Sequence, residues 1–201
     1  MKKSFYLFAF LLLFCSAIGM EKVNGQAKKV ILNGKVLNVH PGNDRIDLYI
    51  HRLGFGQEHI NSQLDSLGNF SASFESYIPT DVWVLYRTNF LILTHPGDSI
   101  YFEFDGEKMQ RPEILKSIKF CGHETKTNQD AAVFQEMYFS DPVYKNYELV
   151  SKAQKEYDVN EYLMFMDTLK QKRNEIYQKF VSKVSPNKET KIWALTYIDE
   201  E

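Results

Sequence analysis

The chain has 201 residues, 44% hydrophobic and 14% aromatic, enough apolar surface for a core without disulfide staples. Its 24 basic and 26 acidic side chains leave a formal charge of −2, which lacks the basic footprint of a nucleic-acid binder. The two cysteines, Cys15 and Cys121, form no Cys-x-x-Cys, so no dithiol redox centre is encoded.

Lys2 and Lys3 precede an apolar run from Phe5 to Phe14, too short for a comfortable membrane span, with small residues after it. This is the pattern of a secretory signal peptide over residues 1–25, with cleavage after Gly25 preferred to cleavage after Gly19. Phe14 is too bulky for the position before a lipidated cysteine, so soluble export to the periplasm is expected rather than an anchor at Cys15. Loss of Lys2, Lys3, Lys22 and Glu21 leaves 21 basic and 25 acidic residues, a formal charge of −4. Cys121 then stands alone, without an intramolecular disulfide.

The mature chain opens with a strand over 29–38, interrupted at Gly34, where a bulge or a close backbone approach is expected. After the turn residues 40–44, Ile46, Leu48 and Ile50 alternate with polar residues, and a second arm carries Ile60, Ser62 and Leu64. A three-residue loop over 54–56 would set Ile50 opposite Ile60 and His51 opposite His59. A further turn lies at 64–70, with Asp65 and Ser66 able to bond the backbone and Gly68 free to take positive φ. Phe70, Ala72 and Phe74 follow at period two, then the apolar run 81–87.

Residues 89–105 read as a β-hairpin about Pro96-Gly97. Its first arm is apolar throughout, as in a strand covered on both faces, and its second alternates Ile100, Phe102 and Phe104 with Tyr101, Glu103 and Asp105. Ser117 to Phe120 adds a short strand after a polar link at 110–112. The spacing predicts an antiparallel β-sandwich of about seven strands over 26–122.

Beyond Gly122 the period becomes helical. Thr127 or Asn128 would cap a helix over 129–139, and Asp141-Pro142 allows a second to start. Asp158 and Glu161 form a capping box before the longest helix, with an apolar stripe of Tyr162, Met166, Leu169, Ile176 and Phe180 interrupted by Arg173. After Ser185-Pro186, Ile192, Trp193, Leu195 and Ile198 mark a last helix that must pack on the earlier ones or on a following domain. An α+β fold with three to four helices over 123–201 is expected.

These signatures resemble the N-terminal domain of periplasmic TlpA-like thiol-disulfide oxidoreductases. The resemblance covers roughly 27–200 and rests on Leu64 to Phe70, Pro96 to Ile100 with the alternating aromatics after it, and Ile118 to Gly122 with Asn128 opening a helix. It implies that 123–201 would lead into a thioredoxin domain, and that this chain is the accessory part. The family's catalytic Cys-x-x-Cys is missing, so no catalytic residue carries over. The expected function is a non-catalytic exported interaction module with a protein partner or self-association, without cofactor or nucleic acid. The alternative is an exported sandwich binding glycan or peptide ligands.

Candidate site residues are few. Trp83, Tyr86 and Tyr101 could line a ligand surface, although aromatics at strand spacing are more often core. Cys121 could be a thiol activated by His123, against the plainer reading of a small buried hydrophobe. His51 and His59, if opposed, would supply only two metal ligands, and solvated imidazoles are the simpler reading.

Overall fold

The structure is a computed structural model describing residues 26–52, 56–122, 125–142 and 147–200. The expected leader over 1–25, the loop residues Gly54 and Phe55, and His123 lie outside the described residues.

Among the described residues eight strands run in chain order: β1 (Lys28–Leu37), β2 (Arg45–Arg52), β3 (Gly56–Gln63), β4 (Asn69–Ser76), β5 (Thr80–Leu85), β6 (Asn89–Thr94), β7 (Ser99–Asp105) and β8 (Lys119–Gly122). Helix α1 (Arg111–Ser117) sits between β7 and β8, and α2 (Thr125–Ser140), α3 (Tyr147–Glu156), α4 (Val159–Val184) and α5 (Lys188–Glu200) follow. The strands form two four-stranded sheets, ordered β4-β1-β7-β8 and β3-β2-β5-β6. Among the described residues every strand pairing is antiparallel except β1 with β7. The chain therefore has the expected α+β architecture, a sandwich followed by helices.

Period-two alternation builds the core. Val30, Leu32 and Val36 of β1, Ile46, Leu48 and Ile50 of β2, and Ile100, Phe102 and Phe104 of β7 all turn inward and are buried. Phe102 is the aromatic centre, with ring centroids 5.2 Å from Phe70, 6.0 Å from Phe90 and 5.9 Å from Phe120. Such ring pairs add about 1 kcal/mol each to the burial of their area. Gly34 is the close approach predicted from its sequence: a Cβ there would lie 2.2 Å from the Phe102 carbonyl oxygen and 2.4 Å from Phe70 Cζ.

The predicted hairpin at 89–105 is a turn whose arms part. Asp98 N–H donates to the His95 carbonyl, and Gly97 takes φ 96° after Pro96. An unprimed turn of this pattern opposes the right-handed strand twist and splays its arms. So β6 pairs with β5 in one sheet, and β7 crosses to β1 in the other. The β2–β3 register also differs from expectation, with Leu48 opposite Ile60, Tyr49 opposite His59 and His51 opposite Gln57. A two-residue slip keeps the same side chains on the apolar face, so the hydrophobic pattern cannot distinguish the two registers.

The polar link at 110–112 instead opens α1, with Pro112 in its first turn and Ile114 and Leu115 buried. Helix α2 starts at Thr125, so Thr127 and Asn128 are interior residues rather than caps. The capping box at Asp158 and Glu161 forms as expected, and Ser185 closes α4 in the left-handed conformation. Helix α5 folds back, burying Ala194 and Ile198 in a second cluster with Phe134, Tyr138, Ile176 and Phe180.

Candidate functional site

A concavity lies where α5 meets the outer face of β5 and β6. Alternation in β5 sends Val82 and Val84 inward and Asp81 and Trp83 outward. Helix α5 is moored there at both ends of its first two turns. Asn187 accepts hydrogen bonds from the Thr190 N–H at 2.8 Å and hydroxyl at 2.9 Å, while its amide donates to Thr127 Oγ1 of α2 at 2.8 Å. One and a half turns on, Trp193 Nε1 donates to Asp81 Oδ2 at 3.1 Å, and its ring meets Phe134 edge-on at 5.6 Å.

Between these moorings a groove of about 450 Å³ is lined by Pro79, Thr80 and Leu93 on the sandwich side and by Ile192 and Trp193 on the helix side. Ile192 is 55% exposed and Leu195, the next residue on that helix face, 37% exposed. The hydroxyls in the wall are committed to backbone: Thr80 donates to Ile78 O at 2.9 Å and Thr94 to Thr80 O at 2.8 Å. Neither is held by a base. At the rim, His95 Nε2 pairs with Glu189, and its Nδ1 lies 3.4 Å from Asp98 Oδ2. The groove is thus an apolar recess with charged residues at its mouth.

The residues singled out from the sequence do not converge. Trp83 is half-buried under the Arg111 guanidinium, 5.7 Å from its ring centroid, and Arg111 is in turn 4.0 Å from the Phe139 centroid. Tyr86 is buried, with its hydroxyl accepting from His40 N–H at 2.9 Å and donating to Asn43 O at 3.3 Å. Burial raises the pKa of that phenol. Tyr101 is exposed on the other sheet, directly across from Cys121 of β8. Cys121 is itself exposed, not the buried small hydrophobe expected for a strand-end cysteine, because β8 is an edge strand and the thiol faces outward.

His51 and His59 are separated as well. His59 stacks on Tyr49 at 4.6 Å and bonds Asp47 at 2.8 Å, whereas His51 bonds Gln57. Desolvation pulls the Asp47 carboxyl upward, but hydrogen bonds from Asn61 and His59 and the nearby Arg45 charge outweigh it, so the pKa is lowered. Among the described residues no group of three or more His, Cys, Asp or Glu side chains could hold a metal ion, and no helix is long and apolar enough to cross a membrane.

Sequence reasoning missed what Asn128 and Gln135 do: it offers Asn128 as a helix cap, and neither as a partner of β6. Each uses its side-chain amide to take up both the N–H and the C=O of an edge-strand residue, Leu93 and Leu91 respectively. The available signal was a pair of amides seven residues apart on one helix face, next to a strand apolar on both sides. No protein-family model, curated protein or solved structure matches this chain.

Proposed function

We propose that the chain is a non-catalytic, exported interaction module of the kind that accompanies thioredoxin-like thiol-disulfide oxidoreductases, and that the α5 face is where its partner docks. The observation that carries this reading is the exposed pair Ile192 and Leu195 beside an apolar groove whose walls are fixed by the Trp193–Asp81 and Asn187–Thr127 bonds. A pre-formed recess with an apolar rim suits recognition, since little ordering is required on binding. The sequence resemblance supplies the class of partner, a thioredoxin-like domain bearing Cys-x-x-Cys.

Sedimentation velocity of the purified chain with an exported thioredoxin-like domain tests it. A complex that forms with the wild type and weakens at least tenfold with Ile192→Asp is the expected result. Sedimentation of the two as independent species at high micromolar concentration would overturn the proposal, as would a complex indifferent to Ile192→Asp.

A further inference from the structure

Of the four sheet edges, β3 is managed least. The edge of β6 is occupied by Asn128 and Gln135 of α2, and β8 is only four residues long. By contrast, β3 pairs with β2 over all eight residues without a bulge and carries neither Pro nor Lys, the usual guards of an edge.

Ladder parity shows which of its groups are open. The Leu64 N–H donates to the Asp44 carbonyl at 2.7 Å, which makes Asp44–Leu64 a hydrogen-bonded pair; by alternation the pairs at Ile46, Leu48 and Ile50 are too. Gln57, His59 and Asn61 therefore turn their N–H and C=O away from β2. The same reasoning on β4, from Val36 N–H to Gly68 O at 2.9 Å, turns Ser71, Ser73 and Glu75 outward. Two of these are engaged: Ser62 Oγ bonds Ser71, and Arg52 donates to Glu75 O.

The two edges are joined at Ser62 and Ser71. Towards Gln57 and Glu75 lies a cavity of about 580 Å³, also lined by His51, Arg52, Tyr77 and Ile78. Tyr77 is 65% exposed and Ile78 42% exposed at its mouth. Glu58 is paired with Arg52, and Glu75 stands opposite Lys29 in the β1–β4 ladder, so the charges around the cavity are balanced and its mouth is set apart by Tyr77 and Ile78.

We propose that the β3 edge at Gln57, His59 and Asn61 docks an extended peptide segment of a partner protein, which adds as a further strand and sets an apolar side chain between Tyr77 and Ile78. Backbone pairing supplies the attraction, and the cavity supplies the choice of side chain. The cavity borders the α5 groove at Thr80, which lines both, but the β3 edge takes no part in that groove, so strand addition can fail or hold independently of docking at α5.

The probe is a synthetic seven-residue peptide, Lys-Thr-Val-Thr-Phe-Thr-Lys, added to the isotope-labelled full chain and followed by amide NMR and hydrogen exchange. Protection is expected at Gln57, His59 and Asn61, with Glu58 and Ile60 little changed because they already face β2. The same peptide N-methylated at alternate amides should bind at least tenfold more weakly. His59→Pro removes an N–H that no described strand uses, and should weaken binding equally while the remaining amide spectrum keeps its dispersion. Absence of protection, equal binding of the methylated peptide, or shifts confined to α5 would overturn the proposal. So would protection of the same amides in concentrated chain alone with doubled sedimentation mass, which would assign the edge to a second copy.

Discussion

The side-chain amide of Asn128 and the backbone of Leu93 exchange two hydrogen bonds, each 2.9 Å long. Gln135 does the same for Leu91 at 2.8 and 3.0 Å. Both amides are buried, so helix α2 completes the ladder of β6 in place of another strand. The sandwich and the helices are thereby joined by polar bonds that an aliphatic seam could not supply.

Asn128→Ala leaves a buried N–H and C=O unsatisfied and is expected to cost about 2 kcal/mol, read from the midpoint of urea unfolding. Hydrogen exchange at Leu93 should accelerate. An unchanged midpoint would mean that water replaces the amide without loss.

Gly34→Ala puts a methyl group 2.2 Å from a backbone oxygen at the centre of the first sheet, where the neighbour is strand and cannot swing aside. A loss of about 3 kcal/mol is expected from overpacking, visible as a lower melting temperature. Wild-type melting would contradict the register given for β1, β4 and β7.

Phe134 is fully buried and touches Tyr138, Phe180, Trp193 and Tyr197. Phe134→Ala should cost about 4 kcal/mol and red-shift tryptophan emission as the Trp193 ring loses its neighbour. Unchanged emission would show that α5 does not rest on α2.

The Asp65 carboxylate accepts from the Asn69 side chain, the Asn69 N–H and the Leu67 N–H, and these bonds hold its pKa below 3.8. A depressed folded pKa gives stability that is present above the unfolded value of about 3.9 and is lost as pH falls through the folded one. Asp65→Asn should therefore flatten the acid limb of stability below about pH 4 without changing its slope near neutrality. A parallel shift at all pH values would contradict this.

Cys121 is exposed on the β8 edge, so a thiol reagent should label it stoichiometrically in the native chain. Protection until denaturant is added would contradict the placement of β8.

Strands and long helices were legible in the sequence because each carries its own period: Ile46, Leu48 and Ile50 at two, Leu169, Arg173, Ile176 and Phe180 at alternating steps of four and three. Turn chemistry at Asp65 and the capping box at Asp158 were legible for the same reason, since each acts within a few residues. Pairing was not. The Pro96-Gly97 turn is the same dipeptide whether its arms pair or part, and only the twist of the sheets separates the outcomes. The β2–β3 slip and the role of Asn128 were hidden likewise, because each depends on a partner distant along the chain or indifferent to a two-residue shift. The groove needed α5 to return to β5, a contact between Asp81 and Trp193 across 112 positions.

Photocrosslinking in exporting cells tests most directly whether the α5 face meets a thioredoxin-like partner. A benzophenone side chain at position 192 should yield one adduct whose partner, identified by mass spectrometry, carries Cys-x-x-Cys, and the same probe at position 101 on the far sheet should not. No adduct from 192, or the same adducts from both positions, would contradict it.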